Sequence, residues 1–255
     1  MKITLLGTGT SQGVPVIGCS CNVCTSENKK DKRLRSSILI EDNGTTVVID
    51  TGPDFRYQML RAGVKNLDGV ILTHEHWDHT AGLDDIRPFN KIRKKPVEVY
   101  AEERVIKRIE QDLDYAFREN KYPGVPSINM NEIDDTAPFI IGDLIFTPLR
   151  VMHHRLPVLG FRIKDFAYIT DAGFIPDETY TKLEGIKVIV IDALRIQPHI
   201  SHFNMEEAVN VIYRTGAEKG YFTHMSHQIG RHEDLLKKLP GNIEPGYDGM
   251  IINCK

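Results

Sequence analysis

Short apolar runs alternate with amphipathic stretches along the chain. Several of these runs are rich in Val and Ile and end at Gly, Asp or Asn, which is typical of buried strands. The predicted strands are residues 2–7, 36–42, 45–50, 67–72, 97–100, 144–150, 158–164, 166–170, 187–192, 218–223 and 248–253. The predicted helices are residues 54–62, 80–90, 102–118, 176–184, 204–213 and 231–239. Many strands with interspersed helices favour packed sheets covered by helices, in the α/β (α+β) class.

The best-marked boundary is the start of the helix at 204–213. Asn204 can cap this helix, and Glu207 stands at its third position, as in a capping box. Residues 8–35 and 119–143 lack a regular pattern, and loops of that length are often functional. The sequence has no internal repeat, low-complexity tract or obvious linker, so we predict that residues 1–255 form a single domain.

The composition is that of an ordinary soluble globular protein, with 41% apolar and 26% charged residues. The net charge of -3 gives no overall attraction to nucleic acid or to an anionic membrane. No apolar run approaches the roughly 20 residues of a membrane-spanning helix, and no signal peptide precedes the first strand. We therefore expect a cytoplasmic protein, whose ten histidines and four cysteines serve as metal ligands or core residues and not as disulfide partners.

A cluster of potential metal ligands directly follows the predicted strand at 67–72. Because alternate side chains of an extended segment share a side, His74 and His76 can hold one ion. If the chain then turns into a helix, Asp78 and His79 can reach a second ion nearby. A single histidine at a strand end is usually structural. Three histidines and a carboxylate within six residues instead indicate metal binding.

Two ions need further ligands, and three candidates follow in order at predicted strand ends. They are His154, Asp171 and His224. Each follows an apolar or aromatic run, so we expect each at the rim of a sheet. Taken alone, each is best explained as a hydrogen-bonded polar residue. Together with the first cluster they complete a two-metal ligand set, in which the two oxygens of Asp171 suit a bridging position.

Three thiols within six residues predict a second, structural metal site. The thiols are those of Cys19, Cys21 and Cys24. Structural zinc needs four ligands, and His227 can be the fourth. The alternative is three reduced core cysteines, but the segment is polar and rich in loop residues. Since His224 precedes His227 by three residues, one loop would tie this zinc to the catalytic pair. Cys254 is left over as a packed tail residue.

The order HxHxDH, then His, Asp and His, resembles the metallo-β-lactamase superfamily. The resemblance implies an αββα four-layer sandwich with a two-metal site at one edge of the sheets. The first metal would take His74, His76 and His154, the second Asp78, His79 and His224, and Asp171 would bridge them with a hydroxide. His153 is the ambiguous neighbour. His154 is chosen because it stands six residues before Gly160, which resembles the spacing in the subfamily described next.

Further motifs resemble the phosphoribosyl 1,2-cyclic phosphate phosphodiesterases of bacterial phosphonate degradation. The motifs are Gly7–Pro15, the CxCxxC run, Thr223–Gln228 and Gly246–Met250. The resemblance implies hydrolysis of a five-membered cyclic phosphate on a phosphorylated ribose by metal-bound hydroxide. It assigns catalytic roles to Asp78 and to His202, which would protonate the departing sugar oxygen. His199 competes for that role, and the alternative for His202 is a surface position beside a helix cap.

Charge indicates the kind of substrate. Two divalent ions with Asp78, Asp171 and one hydroxide leave about one positive charge, which favours a small phosphorylated substrate. Zinc gives an activated water at neutral pH, and imidazole ligands suit zinc, although Mn²⁺ or iron at the catalytic site is left open. We expect two catalytic zinc ions and one structural zinc, no nucleic-acid or membrane partner, and leave a homodimer open.

Three other functions compete with this reading. An RNA 3′-end endonuclease of the same fold usually has a basic, Gly-rich arm, but the basic runs at 29–33 and 91–95 are short. A metal-binding biosynthesis accessory resembling pyrroloquinoline quinone protein B is expected to have an altered ligand set, whereas seven candidate ligands are present here. An iron-based oxidoreductase is the third. Arg35, Arg195 and the loop at 11–12 are weak candidates for phosphate contacts.

Overall fold

The computed structural model describes residues 1–254, which form two seven-stranded sheets flanked by helices. The strands are β1 (Lys2–Gly7), β2 (Ser37–Asp42), β3 (Thr45–Ile49), β4 (Gly69–Ile71), β5 (Val97–Ala101), β6 (Ile128–Glu132), β7 (Phe139–Ile141), β8 (Leu144–His153), β9 (Leu156–Ile163), β10 (Phe166–Ile169), β11 (Val188–Asp192), β12 (Lys219–Thr223), β13 (Ile243–Pro245) and β14 (Ile251–Asn253). The helices are α1 (Phe55–Ala62), α2 (Trp77–Thr80), α3 (Arg87–Arg93), α4 (Glu103–Asp112), α5 (Asp114–Phe117), α6 (Asp177–Leu183), α7 (Met205–Thr215) and α8 (His232–Lys238).

Each sheet combines an antiparallel and a parallel half. The first has the order β14-β1-β2-β3-β4-β5-β6 and the second the order β13-β12-β11-β10-β9-β8-β7. Strands β3 to β6 run parallel to one another, and so do β10 to β13. Parallel strands need crossover connections, and the helices supply them.

Strand side chains alternate between an inner core and two outer cores. In β3, Val47 and Ile49 join the core between the sheets, whereas Val48 joins the core beneath α1, α3 and α4. In β11, Val190 faces inward and Ile189 packs towards α6, α7 and α8. Both faces of each sheet are therefore apolar, which explains the nearly continuous Val/Ile runs. The four layers are helix, sheet, sheet and helix, as the resemblance implied.

Most predicted elements are present, with informative exceptions. The capping box of Asn204 and Glu207 is formed at the start of α7. The predicted helix at 80–90 is instead a short α2, a 3₁₀ turn (Leu83–Ile86) and α3. Strands β6, β7 and β13 were not predicted, because β7 and β13 are only three residues long and β6 is a polar edge strand.

One edge of the sandwich collects the carboxyl ends of the parallel strands of both sheets. The segments that follow β4, β10 and β12 carry His74, Asp171 and His224 to this edge. Residues 133–138, after β6, share it. Residues 119–127 precede β6 and lie at the opposite edge, where Ser127 contacts Asn90 of α3.

None of the helices in residues 1–254 combines the length and the apolar character needed to cross a membrane.

Candidate metal centre

The loop after β4 presents the first histidines. It leaves the sheet at Thr73, passes through His76 in an extended conformation, and enters α2 at Trp77. The His74 Nε2 and His76 Nδ1 atoms lie 3.0 Å apart. His74 is fully buried and His76 is exposed, so this half of the cluster opens to solvent.

Asp78 and His79, in the short helix α2, form the second half of the cluster together with His224. The Nε2 atom of His79 lies 3.1 Å from Asp78 Oδ2 and 3.2 Å from Asp171 Oδ1. The Nδ1 atom of His224 lies 2.9 Å from Asp171 Oδ1. The ring of His224 also contacts Thr10 Oγ1 at 3.2 Å, which ties the loop after β1 to the cluster.

Asp171 occupies the centre. Its carboxylate falls within 4.8 Å of the ligand atoms of three groups of side chains. The groups are His74 with His76, Asp78 with His79 and His224, and His153 with His202. Asp171 is buried and has φ +51°, a left-handed conformation that costs energy in a residue with a side chain. The fold therefore places one carboxylate, on a residue with a left-handed backbone, within reach of all three groups.

The choice of His154 is corrected by the structure. His154 is exposed and sits at φ +55° in the turn between β8 and β9. His153, the last residue of β8, instead points into the cluster, with its ring centroid 5.3 Å from that of His76. Its Nδ1 atom contacts Ser201 O at 3.0 Å, which leaves Nε2 free as a ligand. The end of β8 at His153 decides between the two neighbours, because His154 already belongs to the turn.

A fully buried carboxylate that the sequence reasoning did not single out, Asp50, orients His79. Asp50 Oδ2 lies 2.7 Å from His79 Nδ1, and Asp50 Oδ1 accepts the Thr73 backbone N–H at 2.9 Å. A carboxylate on the far nitrogen of a ligand histidine fixes its tautomer and raises its basicity. The sequence contains a signal for Asp50, because this residue directly follows β3 and so lies at the same sheet edge as the other strand-end residues.

His202 lies beside the cluster and is paired with Asp192, at the end of β11. Asp192 Oδ2 contacts His202 Nδ1 at 2.8 Å. Burial works to lower the pKa of His202, but the charge of Asp192 and the hydrogen bond to it prevail and raise the pKa to about 9. The His199 ring centroid is 5.2 Å from that of His202, and of the two only His202 belongs to a ligand group with Asp171.

The donor set fits divalent cations. Asp78 Oδ2 and His79 Nε2 are buried and make no hydrogen bond, although they lie close together. Burial holds the pKa of His74 well below its usual value, which favours the neutral, ligating form. Burial also disfavours charge on His79, but Asp171, Asp78 and Asp50 together hold the pKa of His79 well above its ordinary value. This surplus of negative charge is what bound cations would neutralise.

Comparison with known proteins now identifies the family. A model of the beta-lactamase superfamily domain matches residues 45–225, more than half of the chain. The chain belongs to the metallo-β-lactamase superfamily. A crystal structure of a diphosphatase from the PhnP family matches with a TM-score of 0.92 and 36% identity, over 99% of this chain and 97% of that chain. The predicted superfamily and fold are thereby confirmed.

Two sequence relatives carry different names. The octanoyltransferase of Porphyromonas gingivalis is 44% identical over 252 residues, which is 98% of this chain but 51% of that protein. The chain thus spans about half the length of that relative. The ribonuclease Z of Pyrobaculum aerophilum is 26% identical, over 82% of this chain and 88% of that protein. The diphosphatase and the ribonuclease Z carry the names of hydrolases, whereas the octanoyltransferase does not.

A second group of candidate ligands joins the loop after β1 to the loop after β12. The Nδ1 atom of His227 lies 3.3 Å from Cys19 Sγ and 3.4 Å from the Sγ atoms of Cys21 and Cys24. A tetrahedral zinc with ordinary bond lengths separates its sulfur and nitrogen ligands by about 3.5 Å. The group therefore fits a closed zinc site, and no position in it is left for substrate.

Replacing Cys21 by Ala is expected to release one ion per chain and to lower the melting temperature. The binding free energy of a structural zinc, about 10–16 kcal/mol in zinc-finger peptides, adds to the free energy of folding. Cys21→Ala should lose part of this binding free energy, and its free energy of unfolding should fall by several kcal/mol. The measurements are elemental analysis and thermal unfolding under reducing conditions. Cys254→Ala, at a buried cysteine outside the cluster, is the control and should retain every ion. An unchanged ion count in Cys21→Ala would contradict a structural metal site at the cysteines.

Proposed function

We propose that this protein is a metal-dependent phosphodiesterase that hydrolyses a small, cyclic phosphodiester. The observation that carries the proposal is the position of Asp171, whose carboxylate lies within ligand distance of two separate groups of imidazoles. Such an arrangement suits two ions that share one bridging carboxylate. Two-metal centres are common in enzymes that cleave phosphate esters.

The proposed ligands divide into two sets. His74, His76 and His153 would hold the first ion, Asp78, His79 and His224 would hold the second, and Asp171 would serve both. This imidazole-rich set favours zinc, and manganese is the alternative to test. When bound, the ions supply Lewis acidity and a water molecule activated at neutral pH. The anionic phosphodiester is drawn to the excess positive charge of the loaded site.

His202 has the position of a general acid. In hydrolysis, water gives up a proton to solvent as its oxygen bonds to phosphorus. The bond from phosphorus to the leaving oxygen breaks, and that oxygen takes a proton from the acid, which solvent then reprotonates. The Nδ1 atom of His202 is held by Asp192, so its Nε2 atom can carry the proton to be donated. One ring nitrogen of His202 lies within 4.8 Å of ligand atoms of His153 and Asp171. The acid thus stands next to the reacting centre.

The preferred substrate is phosphoribosyl 1,2-cyclic phosphate or a relative of it. Support comes from the motifs that resemble the corresponding phosphodiesterases. A diphosphate is the second candidate, because the diphosphatase of the PhnP family is 36% identical over nearly the whole chain. Both substrates present a phosphorus atom with an anionic oxygen to the same ions. The phosphate contacts suggested for Arg35 and Arg195 gain no support, since both guanidinium groups are bonded to protein acceptors.

A substrate panel on metal-defined enzyme tests this proposal. We expect hydrolysis of cyclic phosphodiesters of ribose to exceed hydrolysis of linear diesters, diphosphates and phosphate monoesters in kcat/KM. A precursor tRNA is included, because ribonuclease Z relatives occur among the matches. Selective cleavage of the diphosphate would contradict the phosphodiesterase activity and assign a diphosphatase activity instead. Selective cleavage of the tRNA would favour the endonuclease, and turnover of no phosphate compound would contradict both.

A further inference from the structure

Glu75 stands between the two histidines that lead the metal loop. In an extended segment, its side chain projects to the side opposite to His74 and His76. There it forms an ion pair with Arg104, in the first turn of α4. The side chains of Glu75 and Arg104 are 26% and 30% exposed, so the pair is only partly open to solvent.

Arg104 joins this loop to the second sheet. Its Nη2 atom donates to the backbone carbonyl of Pro157 in β9 and to Glu102 Oε2 at 3.2 Å. Glu102 in turn accepts a hydrogen bond of 2.6 Å from the Nη2 atom of Arg150, a residue of β8. Strand β8 ends at His153, the third imidazole of the first metal set. The network therefore connects the backbones that carry all three histidines.

We propose that the Glu75–Arg104 pair is a positioning clamp, which holds His74 and His76 at the separation from His153 that a metal ion requires. The inference rests on the proposed function, since it concerns the first of the two ion sites. Arg104 touches no candidate ligand itself. It acts through Glu75 on one side and Pro157 on the other.

The expected effect is on metal affinity and not on folding. Partly exposed ion pairs usually contribute little to the free energy of unfolding. In contrast, loss of a group that orients a metal ligand typically lowers metal affinity by about 10–100-fold. The two roles are therefore separable, because a structural pair would change the melting temperature and leave the affinity alone.

The test is chelator competition on the complete chain, loaded with zinc, with the ions retained measured by elemental analysis. Arg104→Ala and Glu75→Gln should each release the ion of the first set, at His74, His76 and His153, at about 10–100-fold lower chelator concentration than the parent. The ion at the cysteine site should be retained as in the parent. Arg108→Ala removes a similar arginine from the same helix, where it pairs with Asp112, and should change nothing. The exchanged variant, Glu75→Arg with Arg104→Glu, should recover part of the lost affinity.

Two controls separate the failure of the clamp from the failure of the proposed metal site. His76→Ala removes a candidate ligand and should release the same ion. If His76→Ala loses the ion while Arg104→Ala and Glu75→Gln keep parental affinity, the clamp is wrong and the metal site stands. If His76→Ala also keeps full affinity, the first ion site itself is wrong, and the clamp falls with it. A fall in melting temperature with parental ion retention at every site would assign Arg104 a purely structural role.

Discussion

Asp171→Asn is expected to lower kcat for phosphodiester hydrolysis by at least about 10³-fold, because Lewis-acid stabilisation by metal ions is worth several kcal/mol. Asparagine has the same shape but lacks the charge and one of the two ligand oxygens. Since Asp171 lies within ligand distance of both groups of imidazoles, this single change affects both ions. The measurements are kcat and the number of bound ions in the purified variant.

The fold should survive this replacement. Asp171 is held by imidazoles of the cluster and by Thr170, and not by the apolar core. Asp177→Asn, at a carboxylate whose side chain is 90% exposed, is the matched control and should retain parental activity and ion content. If Asp171→Asn turns over at the parental rate, the bridging position is wrong.

The second large effect is expected for His202→Ala, and it should depend on the leaving group. A general acid typically contributes 10²–10⁴-fold, roughly the loss expected with a ribose cyclic phosphate. Nitrophenolate is stable without a proton, so hydrolysis of a nitrophenyl phosphodiester should fall far less. The ion content should be unchanged. The ratio of the two kcat values is the quantity to measure.

His199→Ala provides the comparison, because His199 contacts His202 but is not grouped with Asp171 as His202 is. It should leave the ratio near the parental value. Equal losses on both substrates in His202→Ala would make His202 a binding residue. Loss of an ion would make it a ligand, as its place in a group with His153 and Asp171 permits.

The sequence predicts those features of the site that depend on strand ends. His74, Asp171 and His224 each follow a run of apolar residues, and parallel strands end at the same edge of a sheet. Their proximity in the structure follows from this topology. The cysteine group was equally predictable, because three thiols in six residues have few other uses in a polar loop.

Other features depend on local geometry that a pattern does not carry. The choice between His153 and His154 depends on the residue at which β8 ends, and boundaries are the least certain part of any strand prediction. Asp50 and Asp192 act on histidines 29 and 10 residues away in sequence, so only the assembled sheet edge pairs them. The polar strand β6 has no alternating pattern, since its side chains are only partly buried.

The central claim is that hydrolysis depends on ions bound at Asp171 and the surrounding histidines. It is tested most directly by titrating zinc into metal-free protein, with the rate of phosphodiester hydrolysis and the ions bound recorded at each step. The account predicts no turnover without zinc, and turnover that rises as two ions bind in addition to the one held by the cysteines. Full turnover in the metal-free protein, or ions bound at the cysteines alone in the active enzyme, would contradict it.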